Sequence, residues 1–303
     1  MTDERDIKGT FSSCTGAQLD CRLWLPEGEP RAVIQLVHGM AEHIDRYDQT
    51  ARAFAAAGFA VVGHTHLGHG PAAEIKGWFG EKDGWQHLID DVHRLRQQTQ
   101  QQYPGVPYIL LGHSMGSFVV RCYLMQYAGG LAGAILSGTG FFPKVIVMAG
   151  LGLANLVCLF GGAKKPSKLI NSIAFGANNK IFTPARTDFD WLSRVEAEVD
   201  KYIADPCCGF LFTGSGYRDM FRGLNRLTKL HDMPRALPVL FFSGDQDPVG
   251  AGDGVNKVAQ EFRDAGLTTV DVKLYPGGRH EMFNEENRQE VWQDVTDWIN
   301  KLL

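Results

Sequence analysis

Short apolar runs bounded by glycine, proline and polar turns alternate along this chain with longer stretches whose apolar positions recur at helical spacing. The runs at 32–37 (AVIQLV), 59–63 (FAVVG), 107–111 (PYILL), 131–137 (LAGAILS), 238–243 (PVLFFS) and 268–274 predict strands. The stretches at 47–57, 85–103, 117–127, 252–265 and 288–303 predict helices. Strands alternating with helices imply a mostly parallel sheet covered on both faces, an α/β fold. Two earlier runs, 9–13 and 21–25, predict an antiparallel hairpin at the sheet edge. From 141 to 235 the strand pattern stops. An apolar run comes first, then Lys164, Lys165 and Lys168, then polar helical stretches such as 188–202. The expected organisation is a core of residues 1–140 and 236–303 with a helical insertion, 141–235, between two strands of one sheet.

Composition narrows the class. Of 303 residues 44% are hydrophobic and 21% charged, ordinary globular usage that excludes disordered and fibrous chains. The formal charge of -4 is a poor footprint for a nucleic-acid binder. Six cysteines without C-x-x-C spacing indicate neither a zinc ribbon nor a disulfide framework. The polar start MTDERDIKGT predicts no secretory signal, so the expected location is the cytoplasm. One segment challenges that expectation. Residues 145–160 (VIVMAGLGLANLVCLF) carry no charge, although a spanning helix needs roughly 20 predominantly apolar residues.

The strand at 107–111 runs into Gly112-His113-Ser114-Met115-Gly116 and then a helix. This G-x-S-x-G lies where a nucleophile elbow requires it, between strand and helix. The glycines fit a turn so tight that side chains two residues either side of Ser114 would collide with neighbouring elements. Serine needs a base, and the base an orienting acid. In this arrangement the chain order is Ser, then Asp or Glu, then His. Of ten histidines only His280 follows Asp247, and both lie just past predicted strands, on the sheet edge where open α/β sheets place ligands. Asp245 is the rival acid. The oxyanion hole needs two backbone N–H groups: Met115, after the nucleophile, and Met40, in the loop after the third strand, where Gly39 permits an unusual backbone direction. Gly39, His113, Leu151 and Leu153 are the expected substrate contacts.

The segments HGMAEH, GHTHLGHG, GHSMG, SGDQD and YPGGRHEM run in order from residue 38 to 282. Together they resemble the monoacylglycerol lipase and lysophospholipase branch of the α/β-hydrolases. The resemblance implies an α/β-hydrolase fold and a serine hydrolase of carboxylic esters. It makes Ser114, Asp247 and His280 a triad, Met40 and Met115 an oxyanion hole, and 141–235 a helical cap. The implied partner is a small acyl ester. No cofactor or metal is implied, and nothing specifies an oligomer. The family often has Asp where this chain has Thr65.

Three other readings stand beside it. His64, His66 and His69 approach a zinc-ligand spacing, but Gly68 replaces the expected Asp. Related capped hydrolases cleave peptide N-termini with cap carboxylates, for which Glu196, Glu198, Asp200 and Asp205 are available. A binding module on this fold would lack part of the triad. The apolar run lies between Ser114 and its partners, so a single crossing would split the site. It is expected to be a lid, with the adjacent lysines offering peripheral contact to anionic lipid.

Overall fold

The computed structural model describes residues 4–250 and 253–303. Its centre is an eight-stranded sheet in the order β1-β2-β4-β3-β5-β6-β7-β8. β1 (Asp6–Ser12) and β2 (Gln18–Trp24) form the antiparallel edge hairpin, and β2 pairs antiparallel with β4 (Phe59–His64). The other pairings are parallel, through β3 (Ala32–Val37), β5 (Tyr108–His113), β6 (Gly133–Ser137), β7 (Val239–Gly244) and β8 (Val270–Tyr275). From β3 to β7 every strand residue is buried, which is why these strands read as continuous apolar runs rather than alternating ones.

Successive side chains feed two cores. Val33, Leu110 and Phe241 face α2 (Gly84–Gln102), α3 (Met115–Tyr127) and α8 (Gly254–Asp264). Ile34, Leu111 and Phe242 face α1 (Asp48–Ala56) and α9 (Arg288–Asn300). Gln35, fully buried on the first face, is satisfied by the Val92 carbonyl and the Tyr108 hydroxyl. The helix expected from 252 begins at Gly254; position 252 itself lies outside the described residues.

Between β6 and β7 the chain forms α4 (Lys144–Val157), α5 (Lys168–Phe175), α6 (Glu196–Ala204) and α7 (Gly214–Arg226), with no strand longer than an isolated bridge between Pro166 and Thr213. The helical stretch expected at 188–202 starts only at Glu196. Before it, the Asp190 carboxylate accepts the Arg186 and Thr187 N–H groups, a local bond that competes with helix. α7 is keyed to the core: a Cβ on Gly223 would lie 2.1 Å from the Trp85 indole of α2. α4 is the opposite case. Lys144–Gly162 is long and apolar enough to cross a membrane, with a mean hydropathy of 2.1, and only 11% of that window is buried. Val145, Leu159 and Phe160 are 71, 76 and 85% exposed.

Candidate active site

The loops after β3, β5, β7 and β8 leave the same end of the sheet. At the end of β5, Ser114 takes φ 52°, ψ -121°, strained for a residue with a side chain. A Cβ on Gly116 would fall 1.9 Å from the Val37 carbonyl oxygen, and one on Gly112 2.5 Å from the Gly116 oxygen. Both glycines are therefore obligatory. The Ser114 N–H donates to the Ser137 carbonyl (2.9 Å), and α3 begins at the next residue.

Past β8, His280 Nδ1 lies 2.9 Å from both oxygens of Asp247, which follows β7. Asp247 is buried and fully engaged: Oδ2 accepts the Ser243 hydroxyl (2.6 Å) and Oδ1 the Val249 N–H (2.8 Å). Asp245 instead is exposed and accepts the Gly277 N–H. The imidazole of His280 sits between His113 and Trp191, with ring centroids at 4.8 and 4.9 Å. Burial alone would lower its pKa. The Asp247 carboxylate outweighs burial, Glu281 and Glu42 add to it, and the pKa is raised above 6.5. Burial likewise works against the Asp247 carboxylate, but the His280 charge and the donors around it hold it below the ordinary value. His113, buried beside His280, is pushed down to about 4.

The loop after β3 is held amide by amide. The Gly39 N–H donates to Glu42 Oε1 (2.5 Å) and the Ala41 N–H to His69 Nε2 (3.2 Å). Ala41 sits at φ 54°, and its carbonyl accepts both the Tyr202 hydroxyl and the Gly209 N–H from the insertion. Arg46 joins this loop to the histidine loop. Its guanidinium bonds Glu42 Oε2 and grips both oxygens of Glu281 (2.7 and 2.8 Å). Burial opposes the Glu281 carboxylate, yet Arg46 holds it down to about 2.

His64, His66 and His69 are buried scaffold. His69 and His38 use Nε2 lone pairs to accept the Ala41 and His66 N–H groups, and His66 Nε2 faces the His38 carbonyl. Burial pushes His64 and His69 down to about 4 and His38 and His66 well below 6.5, so the cluster is neutral. The lone pairs a metal would need at His69 are already committed, and the zinc reading of this trio fails on that ground. The Thr65 hydroxyl accepts the Ile44 N–H (3.4 Å).

A cavity of about 810 Å³ opens over Ser114. It brings together Gly39, Met40, His113, Ser114, Met115, Leu153 and His280. Leu151 does not line it. Two residues along a helix is more than half a turn, so Leu151 packs into the core while Val147, Gly150 and Leu153 face the cavity. Nor do the four carboxylates of the insertion named above. Glu196 and Asp200 pair with Arg186, Glu198 with Lys201 and Arg288, and Asp205 with His43. The sequence reading missed Trp191, Ser243, Arg46 and Glu281. Of these only the Glu42-x-x-x-Arg46 helical spacing carried any signal.

The serine aminopeptidase S33 family matches residues 28–287. The monoacylglycerol lipase of Mycolicibacterium smegmatis is 31% identical over 99% of both chains. The monoglyceride lipase of Mus musculus is 30% identical over 94% of this chain and 88% of its own. Among solved structures, a thermostable carboxyl esterase of Bacillus coagulans in complex with glycerol superposes with a TM-score of 0.91 at 30% identity, covering 99% of each chain.

Proposed function

This chain belongs to the serine aminopeptidase S33 family of α/β-hydrolases and is a hydrolase of ester bonds, and from that premise we propose that it is a monoacylglycerol lipase working through Ser114, His280 and Asp247. Ser114 attacks the ester carbonyl as His280 takes its proton. Asp247 fixes the imidazole tautomer and offsets the imidazolium charge. The oxyanion is held by Met115 N–H, at the start of α3, and by Met40 N–H, whose neighbours on both sides are already spent on Glu42 and His69. His280 then protonates the leaving alcohol and activates the water that clears the acyl-enzyme.

The observation that carries the lipid reading is the cavity. Its volume of about 810 Å³ is walled by apolar side chains of residues 141–235, which we read as the cap, such as Val147, Leu153, Ile170 and Phe221. A lysophospholipid would fit the same apolar wall. None of the four carboxylates named for the aminopeptidase reading reaches this space, where the insertion places Asp188 instead. The exposed apolar side chains of α4, the turn after it and α5, among them Val145, Leu159, Phe160 and Ile173, suit a face resting on lipid beside Lys165 and Lys168.

Initial rates on p-nitrophenyl butyrate, octanoate and palmitate test the reading beside mono-oleoylglycerol, a lysophospholipid and an aminoacyl p-nitroanilide. Each buried methylene contributes about 0.8 kcal/mol, so kcat/KM rises by up to about fourfold per CH₂ until the cavity is full. Leu153→Asp flattens that rise and spares the butyrate. A wild-type preference for the anilide over every ester overturns the proposal.

A further inference from the structure

The joint between the oxyanion-side loop and the insertion holds a second constellation, outside the cavity. His43, three residues past Met40, meets Asp205 and Cys208 just beyond the end of α6. Nε2, a carboxylate oxygen and Sγ all lie within 4.8 Å of one another. Among the described residues no other group of three His, Cys, Asp or Glu side chains converges in this way. We propose that His43, Asp205 and Cys208 form a binding site for a zinc-like divalent cation that pins the insertion to the loop carrying Met40.

The donor set is what zinc uses: one imidazole, one carboxylate and one thiolate, leaving a fourth position for water. The thiol and imidazole select against magnesium and calcium. With bonds of about 2.0–2.3 Å, tetrahedral ligands stand about 3.4–3.6 Å apart. His43 Nε2 and Asp205 Oδ2 are 2.8 Å apart, so they need to open by about 0.6–0.8 Å. Asp205 Oδ1 accepts the Cys207 N–H (2.7 Å), an outer bond that aims Oδ2 at the site. The side chains of His43 and Asp205 are 15 and 31% exposed, which gives the cation a way in.

Loading forms a bond from the cation to the Cys208 sulfur and releases the thiol proton to solvent. The His43 proton that bonds Asp205 moves to Nδ1, freeing the Nε2 lone pair for the metal. Adjacent to Cys208, the Gly209 N–H already holds the Ala41 carbonyl at 3.0 Å, so the metal adds to an existing contact.

Co²⁺ reports the site without any variant. The purified, chelator-treated chain is expected to bind one Co²⁺ with a thiolate-to-metal charge-transfer absorption, and Zn²⁺ displaces it. Zn²⁺ raises the melting temperature with the logarithm of its concentration above Kd, whereas Mg²⁺ and Ca²⁺ do not. Cys208→Ser and Asp205→Asn abolish the band and the shift, while Cys207→Ser keeps both. No saturable binding, or a band that survives Cys208→Ser, overturns the proposal. A band lost in Cys207→Ser alone moves the thiol to the wrong residue and overturns it equally.

Discussion

Replacing Asp247 by Asn exchanges one oxygen for an NH₂ group in a pocket where every lone pair is assigned. The Val249 N–H requires an acceptor at the Oδ1 position, so the asparagine oxygen stays there and its NH₂ takes the Oδ2 place. That NH₂ then meets the Ser243 hydroxyl, which rotates to accept, and His280 Nδ1. The ring can accept only if its proton moves to Nε2, the nitrogen that must be free to take the Ser114 proton. The reversed amide sets NH₂ against N–H at Val249 and leaves buried donors unpaired, a cost of about 1–3 kcal/mol. The imidazolium of the transition state also loses its carboxylate, in a site with no solvent to replace it. The expected loss is about 10⁴-fold in kcat, or about 5.5 kcal/mol. KM should barely move, because Asp247 does not line the cavity. Steady-state hydrolysis of p-nitrophenyl butyrate reads both, with a melting curve to show that the fold is intact. Asp245→Asn can still accept the Gly277 N–H and should leave activity unchanged. Asp247→Asn activity within tenfold of wild type, or a larger loss at Asp245, refutes the assignment.

Acid should unfold this protein through its buried histidines. In the unfolded chain they take up protons near pH 6.5. In the folded one His64 and His69 resist until about 4, so stability is lost as pH falls through that window. Around pH 5 each such ring costs about 2 kcal/mol, and urea midpoints at neutral and acid pH measure the sum. His64→Phe, which removes two ring nitrogens with no hydrogen-bond partner among the described residues, should narrow the gap. Arg46→Met strands the buried Glu42 and Glu281 carboxylates and is expected to cost about 3–5 kcal/mol in thermal or urea unfolding, with Arg46→Lys recovering part of it.

The strands were legible because parallel strands covered on both faces leave little room for polar side chains, and 32–37 matches β3 residue for residue. The meeting of Ser114, Asp247 and His280 at one end of the sheet was legible because the proposed chemistry requires a chain order and only one histidine follows the acid. What escaped was contact between distant segments. Arg46 and Glu281 are 235 positions apart, and nothing local marks them as partners. Ser243 read as one more residue of a strand, although its hydroxyl is what fills the last acceptor site on Asp247. The histidine-rich GHTHLGHG segment suggested metal because spacing does not reveal that a backbone N–H has already claimed the His69 Nε2 lone pair and that His66 Nε2 faces a carbonyl. Leu151 and Leu153 looked equivalent in the apolar run. Only the helix's rotation separates them.

The insertion is fastened in two different ways, and this divides what can change in it. The stretch from Trp191 to Gly209 is tied by polar bonds to the loops that carry the chemistry. His280 and Glu281 donate their N–H groups to the Trp191 and Leu192 carbonyls, Arg194 pairs with the buried Glu285, and Gly209 holds Ala41. Three of these bonds are backbone to backbone and depend on the path of the chain, whereas loss of the Arg194 side chain leaves the buried Glu285 carboxylate without its guanidinium. α4 and α5 are held by apolar packing through Val147, Ala154 and Ile170, which tolerates exchange at constant volume. Substrate range can therefore drift through residues 144–175 while the reacting groups stay in register. A directed library confined to those helices samples new acyl chains with the least risk to turnover.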